Sequence, residues 1–498
     1  MSGEDVYPGG RVGRDDPRYP TLVRGFNLRW VGTPRYVELC ASAEQVRAAV
    51  QRALDDGLRI TIQGGGHCYE NFAVGNEGGV ILDLSACNDV YRDEDSSSPC
   101  HGWYCIEGGA TLWDAYTRLY RLYDVTIPAG SCYSVGAGGH IVGGGYGLLS
   151  RLHGLTVDVL HAVEVVVVRD GRAEIVTVSR DAKDANDQLL MWGHLGAGGG
   201  NFGVVTKYWF RDPPRAPEQA HLLSLAWNWS DLDKSSFGAL IENYGEFLAA
   251  NSEVGSPYSG MFALLHLFQT AASQITLTVQ YVGDDPGRLD VFASELCTGL
   301  PPLASQHVAV GGHGNAPMPA SGSVRALPWL YATQTLNGVG ANQRGKYKSA
   351  YMKQPFPEHQ ISAMWDALTN ASHPNSQALL QVDSYGCQVN AVAPEATAVP
   401  QRSSIMKLQY QTYWTDPADD TPNLDWIRRF YDAMYGPDGP LPDAVMDGCY
   451  VNYPDVDLVR WQELYYQDAY SKLQKVKAAW DPGNVFNHRQ SVEPPDEG

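Results

Sequence analysis

Three glycine-rich stretches constrain this chain more than any other feature. They are Gly64-Gly65-Gly66, the run from Gly136 to Gly145, and the segment from Gly196 to Gly203. Each glycine raises the entropic cost of folding. Clusters therefore mark places where the backbone turns tightly or must approach another group closely. Such turns can hold a pyrophosphate through backbone N–H groups, with no lysine or arginine required. Two common nucleotide folds do not fit. The pattern G-x-x-x-x-G-K-[ST] is absent, which argues against a P-loop. No strand, G-x-G-x-x-G turn and helix followed by an acidic residue occurs, which argues against a standard Rossmann site.

The 498 residues suffice for two or three domains with full cores. Ser42-Ala43-Glu44-Gln45 is a capping box that predicts an amphipathic helix ending near Gly57. Strands are expected at 58–63, 80–84 and 103–108, and a helix at 111–122. The apolar run Ala162–Val168 predicts a strand buried on both faces, turned by Asp170-Gly171 into a hairpin with 173–179. Pro213, Pro214 and Pro217 mark a boundary. Beyond it, strands at 274–282, 378–386 and 405–414 alternate with helices such as 424–435, which predicts an α+β unit with one antiparallel sheet. A last amphipathic helix closes at Asp481-Pro482.

Other functions are disfavoured. With 36 Lys+Arg against 56 Asp+Glu, a net charge of −20 speaks against a nucleic-acid or anionic-membrane partner. No run of 18 apolar residues exists, so no membrane span is expected. The first 20 residues lack a basic start and an apolar core, so a secretory leader is not expected and a cytoplasmic location is. The nine cysteines form no C-x-x-C pair and are expected to be mostly reduced, with Cys100–Cys105 the one local pairing to consider. His67-Cys68, His101, Cys105 and His153 have no zinc spacing, so no metal site is expected. The serine elbow G-x-S-x-G is absent.

Within this frame Gln63-Gly64-Gly65-Gly66-His67 followed by Ile81-Leu82-Asp83-Leu84-Ser85 resembles the flavin-attachment region of vanillyl-alcohol-oxidase-type flavoproteins. Pro128-Ala129-Gly130-Ser131-Cys132, Val135–His140, Gly199–Thr206, Tyr450-Val451-Asn452-Tyr453 and Trp480–Phe486 resemble the berberine-bridge-enzyme-like branch. The motifs run in family order over most of the chain. The resemblance implies a two-domain fold: residues 1–213 and 441–498 as the FAD-binding domain, and 214–440 as an antiparallel-sheet substrate domain. It implies FAD bound twice covalently, His67 to the 8α-methyl and Cys132 to C6. It also places His140 near the flavin N1–C2=O edge, supported by Tyr69 through a hydrogen bond. Gly64, Gly65, Gly66, Gly138 and Gly139 should approach the pyrophosphate. Tyr146 and Asn201 are flavin contacts or plain packing. Val135 matches the family's oxygen gate, or is a core valine.

The implied activity is an oxidase that moves hydride from an alcohol carbon to flavin N5 and is reoxidised by O2 to give H2O2. Bacterial members lacking a leader resemble tailoring enzymes of polyketides and glycosylated antibiotics. The alternatives are a hexose or oligosaccharide oxidase forming a lactone or acid, an oxidative cyclase, or a non-catalytic flavin-binding relic. Alcohol oxidation needs a base for the O–H proton. Read as extended, 450–453 sets Tyr450 and Asn452 on one face and Tyr453 on the other. The family pattern makes Tyr453 the base and Tyr450 a support. A tyrosine near pKa 10 needs help at neutral pH. Tyr385, and Lys407 with Gln409 on one strand face, are the candidates. The plain alternative is that these side chains are pocket walls that orient substrate.

Overall fold

The computed structural model describes residues 10–305, 317–338 and 340–495; residues 1–9, part of the stretch read for a leader, lie outside them. Three sheets organise the chain. The first comprises β1 (Arg11–Gly13), β2 (Tyr36–Leu39), β3 (Ile60–Gln63) and β4 (Val80–Asp83) in the order β1-β2-β4-β3. Strands β2, β4 and β3 are parallel, which the Ala43–Asp55 helix makes possible by carrying the chain back between β2 and β3. Ser42 caps that helix by accepting from the Gln45 N–H, while the Gln45 side chain reaches back to the Ala41 N–H rather than to that of Ser42. Val46, Ala49, Val50 and Ala53 on its buried face join Val80, Leu82, Val166 and Val168 in one core.

The second sheet holds β5 (Val90–Arg92), β6 (Tyr104–Glu107), β7 (Ala162–Arg169), β8 (Arg172–Ser179) and β9 (Val204–Phe210), ordered β5-β6-β9-β7-β8 and antiparallel throughout. Interior strand β7 buries Val163 and Val165–Val168, as its nearly continuous apolar run predicts. Asp170 and Gly171 turn it into β8 with φ of 49° and 73°, the pair of left-handed residues that a type I′ hairpin needs.

The third sheet has seven strands: β10 (Gln219–Asn228), β11 (Met261–Phe268), β12 (Gln274–Tyr281), β13 (Ser323–Pro328), β14 (Arg344–Met352), β15 (Ala378–Ser384) and β16 (Met406–Trp414). Their order is β13-β10-β12-β11-β15-β16-β14, all antiparallel. Alternation decides its two faces. Tyr410 of β16 packs on Phe430 and Tyr431 of the Asp420–Tyr435 helix. Its neighbours Gln409 and Gln411 point the other way, into a cavity. After this sheet the chain returns to the first part: the Tyr470–Trp480 helix packs on the Ala185–Gly193 helix, and Phe486 enters the core around β4.

Among the described residues no helix is long and apolar enough to cross a membrane. All nine cysteines are free thiols, so the local pairing is not formed; Cys100 and Cys105 are buried beside Trp209.

Candidate active site

A cavity of about 560 Å³ lies between the glycine turns and the inner face of the seven-stranded sheet. The first two glycine turns meet backbone to backbone. A Cβ on Gly65 would sit 2.3 Å from the Gly136 nitrogen, and one on Gly136 would sit 2.4 Å from the Gly65 nitrogen. This contact sets His67 beside the loop of Cys132: His67 Nε2 is 2.8 Å from Ser134 Oγ, and its ring stacks on Phe26 at 4.7 Å. Both His67 and Cys132 line the cavity. Burial lowers the His67 pKa to about 4, leaving a neutral imidazole with a lone pair, and burial foremost raises that of the Cys132 thiol.

Two of the glycines expected at the pyrophosphate differ. A Cβ at Gly138 would lie 2.3 Å from the Gly108 carbonyl, so packing alone requires glycine there. At cavity-lining Gly139 it would meet no protein atom within 4 Å, so the space it would fill belongs to the cavity. Two cavity-lining amide oxygens, Gln63 Oε1 and Gln490 Oε1, are buried with no partner. A long cavity with glycine walls, orphaned acceptors, a neutral imidazole and a thiol fits a flavin dinucleotide.

Asn201 is held differently. Its amide donates to the Ala197 and Gly198 carbonyls and its Oδ1 accepts from the Val492 N–H, so the side chain staples the third glycine segment to the C-terminal return. The residue also lines the cavity. Tyr146 lines the cavity, with its hydroxyl bonded to the Ser384 carbonyl. Val135 lines the cavity and is part-buried.

His140 Nε2 accepts from the Gly130 N–H at 3.1 Å, which leaves the ring proton on Nδ1. Burial first and Lys407 second lower its pKa to about 4, so it is neutral. Its backbone carbonyl accepts from Asn452 Nδ2, which also donates to the Tyr450 hydroxyl. Tyr69 does not support His140: its hydroxyl accepts from Gln409 Nε2 at 2.9 Å and its ring stacks on Tyr347 at 3.6 Å.

Residues 450–453 form a turn, not an extended segment, with Tyr453 N–H donating to the Tyr450 carbonyl at 2.9 Å. The turn puts both tyrosines on the same side, against one cation. Lys407 Nζ lies 4.5 Å from the Tyr453 ring centre and 5.6 Å from that of Tyr450, and it donates to the Tyr453 hydroxyl at 3.1 Å. Tyr385 stands apart. It is fully buried outside the cavity and donates to the Gln401 carbonyl, because residue 385 follows the end of β15 and its ring turns toward Tyr351.

Asp383 is the residue that sequence reasoning missed. It pairs directly across the strands with Lys407, Oδ2 to Nζ 2.5 Å, and its Oδ1 accepts from Gln381 Nε2 at 2.7 Å. A signal was present. Leu379, Gln381 and Asp383 repeat at period two, and a carboxylate on a buried strand face calls for a cation opposite. The Tyr453 pKa is raised well above the ordinary value, by burial first and the Asp383 charge second. Gln411 bonds Gln381 and Gln409, and Tyr413 bonds Gln411, so one half of this sheet face is a wall of amides. The other half mixes apolar Phe262, Leu264 and Phe268 with His266, Thr276 and Thr278.

Residues 34–178 match the FAD binding domain family and residues 449–493 the berberine and berberine-like family. Aclacinomycin-N/aclacinomycin-A oxidase of Streptomyces galilaeus is 40% identical over 97% of this chain and 90% of its own. Hexose oxidase of Chondrus crispus is 37% identical over 97% of this chain and 94% of its own. The crystal structure of CrmK, a flavoenzyme involved in shunt product recycling in caerulomycin biosynthesis, superposes with a TM-score of 0.91. It is 39% identical and covers 98% of this chain and 100% of that one.

Proposed function

This chain belongs to the berberine-bridge-enzyme-like FAD-linked oxidases, and from that premise we propose that it oxidises an alcohol carbon of a secondary metabolite with Tyr453 as the base. One observation carries the reading: the Tyr453 hydroxyl, Lys407 and Asp383 form a hydrogen-bonded line on the cavity wall that faces the glycine turns. Residues 1–213 with 441–498 are the cofactor unit in this reading, and 214–440 the substrate unit. His67 and Cys132 are the two covalent anchors of FAD, which the family resemblance and their shared cavity support. When bound, FAD supplies the two-electron acceptor for the substrate hydride, and O2 takes those electrons on to give H2O2.

The residues do the remainder. Tyr453, once ionised, takes the hydroxyl proton as the C–H pair leaves, so the substrate loses one hydride and one proton and becomes a carbonyl compound. Lys407 donates to the Tyr453 oxygen and stabilises its anionic form. Asp383 holds Lys407 in place, with its other oxygen held by Gln381. His140 presents a neutral ring fixed by the Gly130 N–H, and Asn452 ties the Tyr450–Tyr453 turn to the His140 backbone.

The amide wall favours a second reading within the same chemistry. Gln381, Gln409 and Gln411 offer donors and acceptors suited to a polyhydroxylated ring, so a sugar hydroxyl or hemiacetal is oxidised, as free hexose or on a glycoside. The test common to both is Tyr453→Phe, which keeps the ring and removes the hydroxyl. Anaerobic flavin reduction by substrate should fall roughly 10²–10⁴-fold with FAD retained. Reduction at near wild-type rate would place the base elsewhere.

A further inference from the structure

Beneath the edge strand of the seven-stranded sheet lies a buried cluster of charge that the chemistry above does not use. Lys346 and Lys348, two positions apart on β14, share a face turned away from solvent. Lys346 Nζ is 2.5 Å from Glu70 Oε1 and 2.5 Å from Asp455 Oδ1, and 3.4 Å from Asp457. Lys348 Nζ is 2.7 Å from the other oxygen of Asp455 and 3.4 Å from Asp457. Arg428 closes the outer side against Asp457. Three cations thus face three carboxylates. Side chains of Lys346, Glu70 and Asp455 are about 2% exposed or less.

Such a cluster is a poor way to stabilise a core. Desolvation of its ions consumes most of the Coulomb gain, and apolar residues of like size do as well or better. What it supplies is fixed geometry, and its members come from three places that matter. Glu70 is three residues after His67. Asp455 is two residues after Tyr453. Lys346 stands on the strand hydrogen-bonded to β16, which carries Lys407 and Gln409. Glu70 Oε1 also accepts from the Val456 N–H, so the two loops meet at the same ammonium. Burial opposes the Lys346 charge, but Asp455, Glu70 and Asp457 outweigh it and hold the pKa above that of an ordinary lysine.

We propose that Lys346 is a positioning residue that locks the His67 attachment segment and the Tyr453 base turn to the substrate sheet as one unit, whereas Lys348 holds the base turn alone. The roles of His67 and Tyr453 rest on the function proposed above; the coupling of the two segments does not.

The test compares Lys346→Met with Lys348→Met in the full-length flavoprotein. Lys346→Met removes the one ammonium that, among the described residues, Glu70 and Asp455 share. Hydrogen exchange should therefore speed in both 67–73 and 450–457, the covalent flavin seen on a denaturing gel should drop at least about twofold, and flavin reduction should slow about tenfold or more. Lys348→Met should speed exchange in 450–457 only and slow reduction while covalent flavin stays at the wild-type level. A general loss of stability would move all readouts in both variants. If Lys346→Met does not fold, Lys346→Met with Glu70→Gln removes one charge of each sign and should show the same two-segment pattern. Equal patterns for the two lysines, or exchange in 67–73 unchanged without Lys346, overturns the proposal. A wild-type protein without covalent flavin would overturn the attachment reading, and the exchange data would still decide the coupling.

Discussion

Replacing Asp383 by Asn should move the pH dependence of flavin reduction to lower pH, and the size follows from the line of three groups. The Asp383 carboxylate and the Tyr453 oxygen are bridged by one ammonium, 2.5 Å on one side and 3.1 Å on the other. They are therefore within about 6 Å of each other, where two unit charges at an effective dielectric near 20 repel by ~3 kcal/mol. That is about two pH units. A base must be deprotonated to work, so reduction rises with pH through the apparent pKa of this coupled set. Asp383 raises that pKa, because ionising Tyr453 would put two anions on one cation. Asn keeps an oxygen for Gln381 and removes the charge, so the Tyr453 oxygen becomes the counter-ion of Lys407. Anaerobic stopped-flow reduction across pH should show the rise displaced downward by up to about two units, with a plateau within an order of magnitude of wild type. A rise that stays in place or moves upward at an intact plateau refutes the reasoning. Lys407→Met should move the rise the other way.

Three further outcomes check other parts of the site. His67→Ala and Cys132→Ala should each keep FAD on a denaturing gel through the remaining anchor, and the double variant should release it; a wild type that yields free FAD on acid precipitation sinks the double link. Val135→Ile, one methylene larger at a cavity-lining position, should slow reoxidation by O2 and spare reduction by substrate, whereas equal slowing of both marks general damage. Gly139→Val points into cavity space with no protein atom near its Cβ. The protein should fold with an unchanged exchange pattern in its sheets yet lose FAD, and full FAD occupancy would show that the cofactor runs elsewhere.

The parts of this protein legible from sequence are those decided locally or by pattern. The buried strand Ala162–Arg169, its Asp170-Gly171 turn and the capped Ala43–Asp55 helix each follow from side-chain period, turn chemistry or a cap. The faces of β16 were equally readable, since Lys407, Gln409 and Gln411 alternate with Leu408 and Tyr410. The misread residues share a different cause. Whether 450–453 is extended or turned depends on the Tyr453 N–H, and its bond to the Tyr450 carbonyl leaves no mark on the residue types. Asn201, a flavin contact or plain packing by sequence, lines the cavity and has partners at 197, 198 and 492, which no local pattern announces. Tyr69 reaches Gln409, 340 positions away, and no periodicity spans that distance.

Asp383 alters what the lysine beside Tyr453 can do. A lysine beside a tyrosine, taken alone, implies a tyrosine ready to ionise. With a carboxylate 2.5 Å behind the lysine, the cation is already paired and Tyr453 keeps its proton at neutral pH. In that state Lys407 donates to the Tyr453 oxygen, and the phenolic proton is left to point toward the cavity, where a substrate oxygen can accept it. Removing the substrate proton then requires the line to give up a proton of its own. The pH dependence therefore belongs to Asp383, Lys407 and Tyr453 together. A variant at any one of the three should shift the apparent pKa of the other two, and effects at these positions should not add.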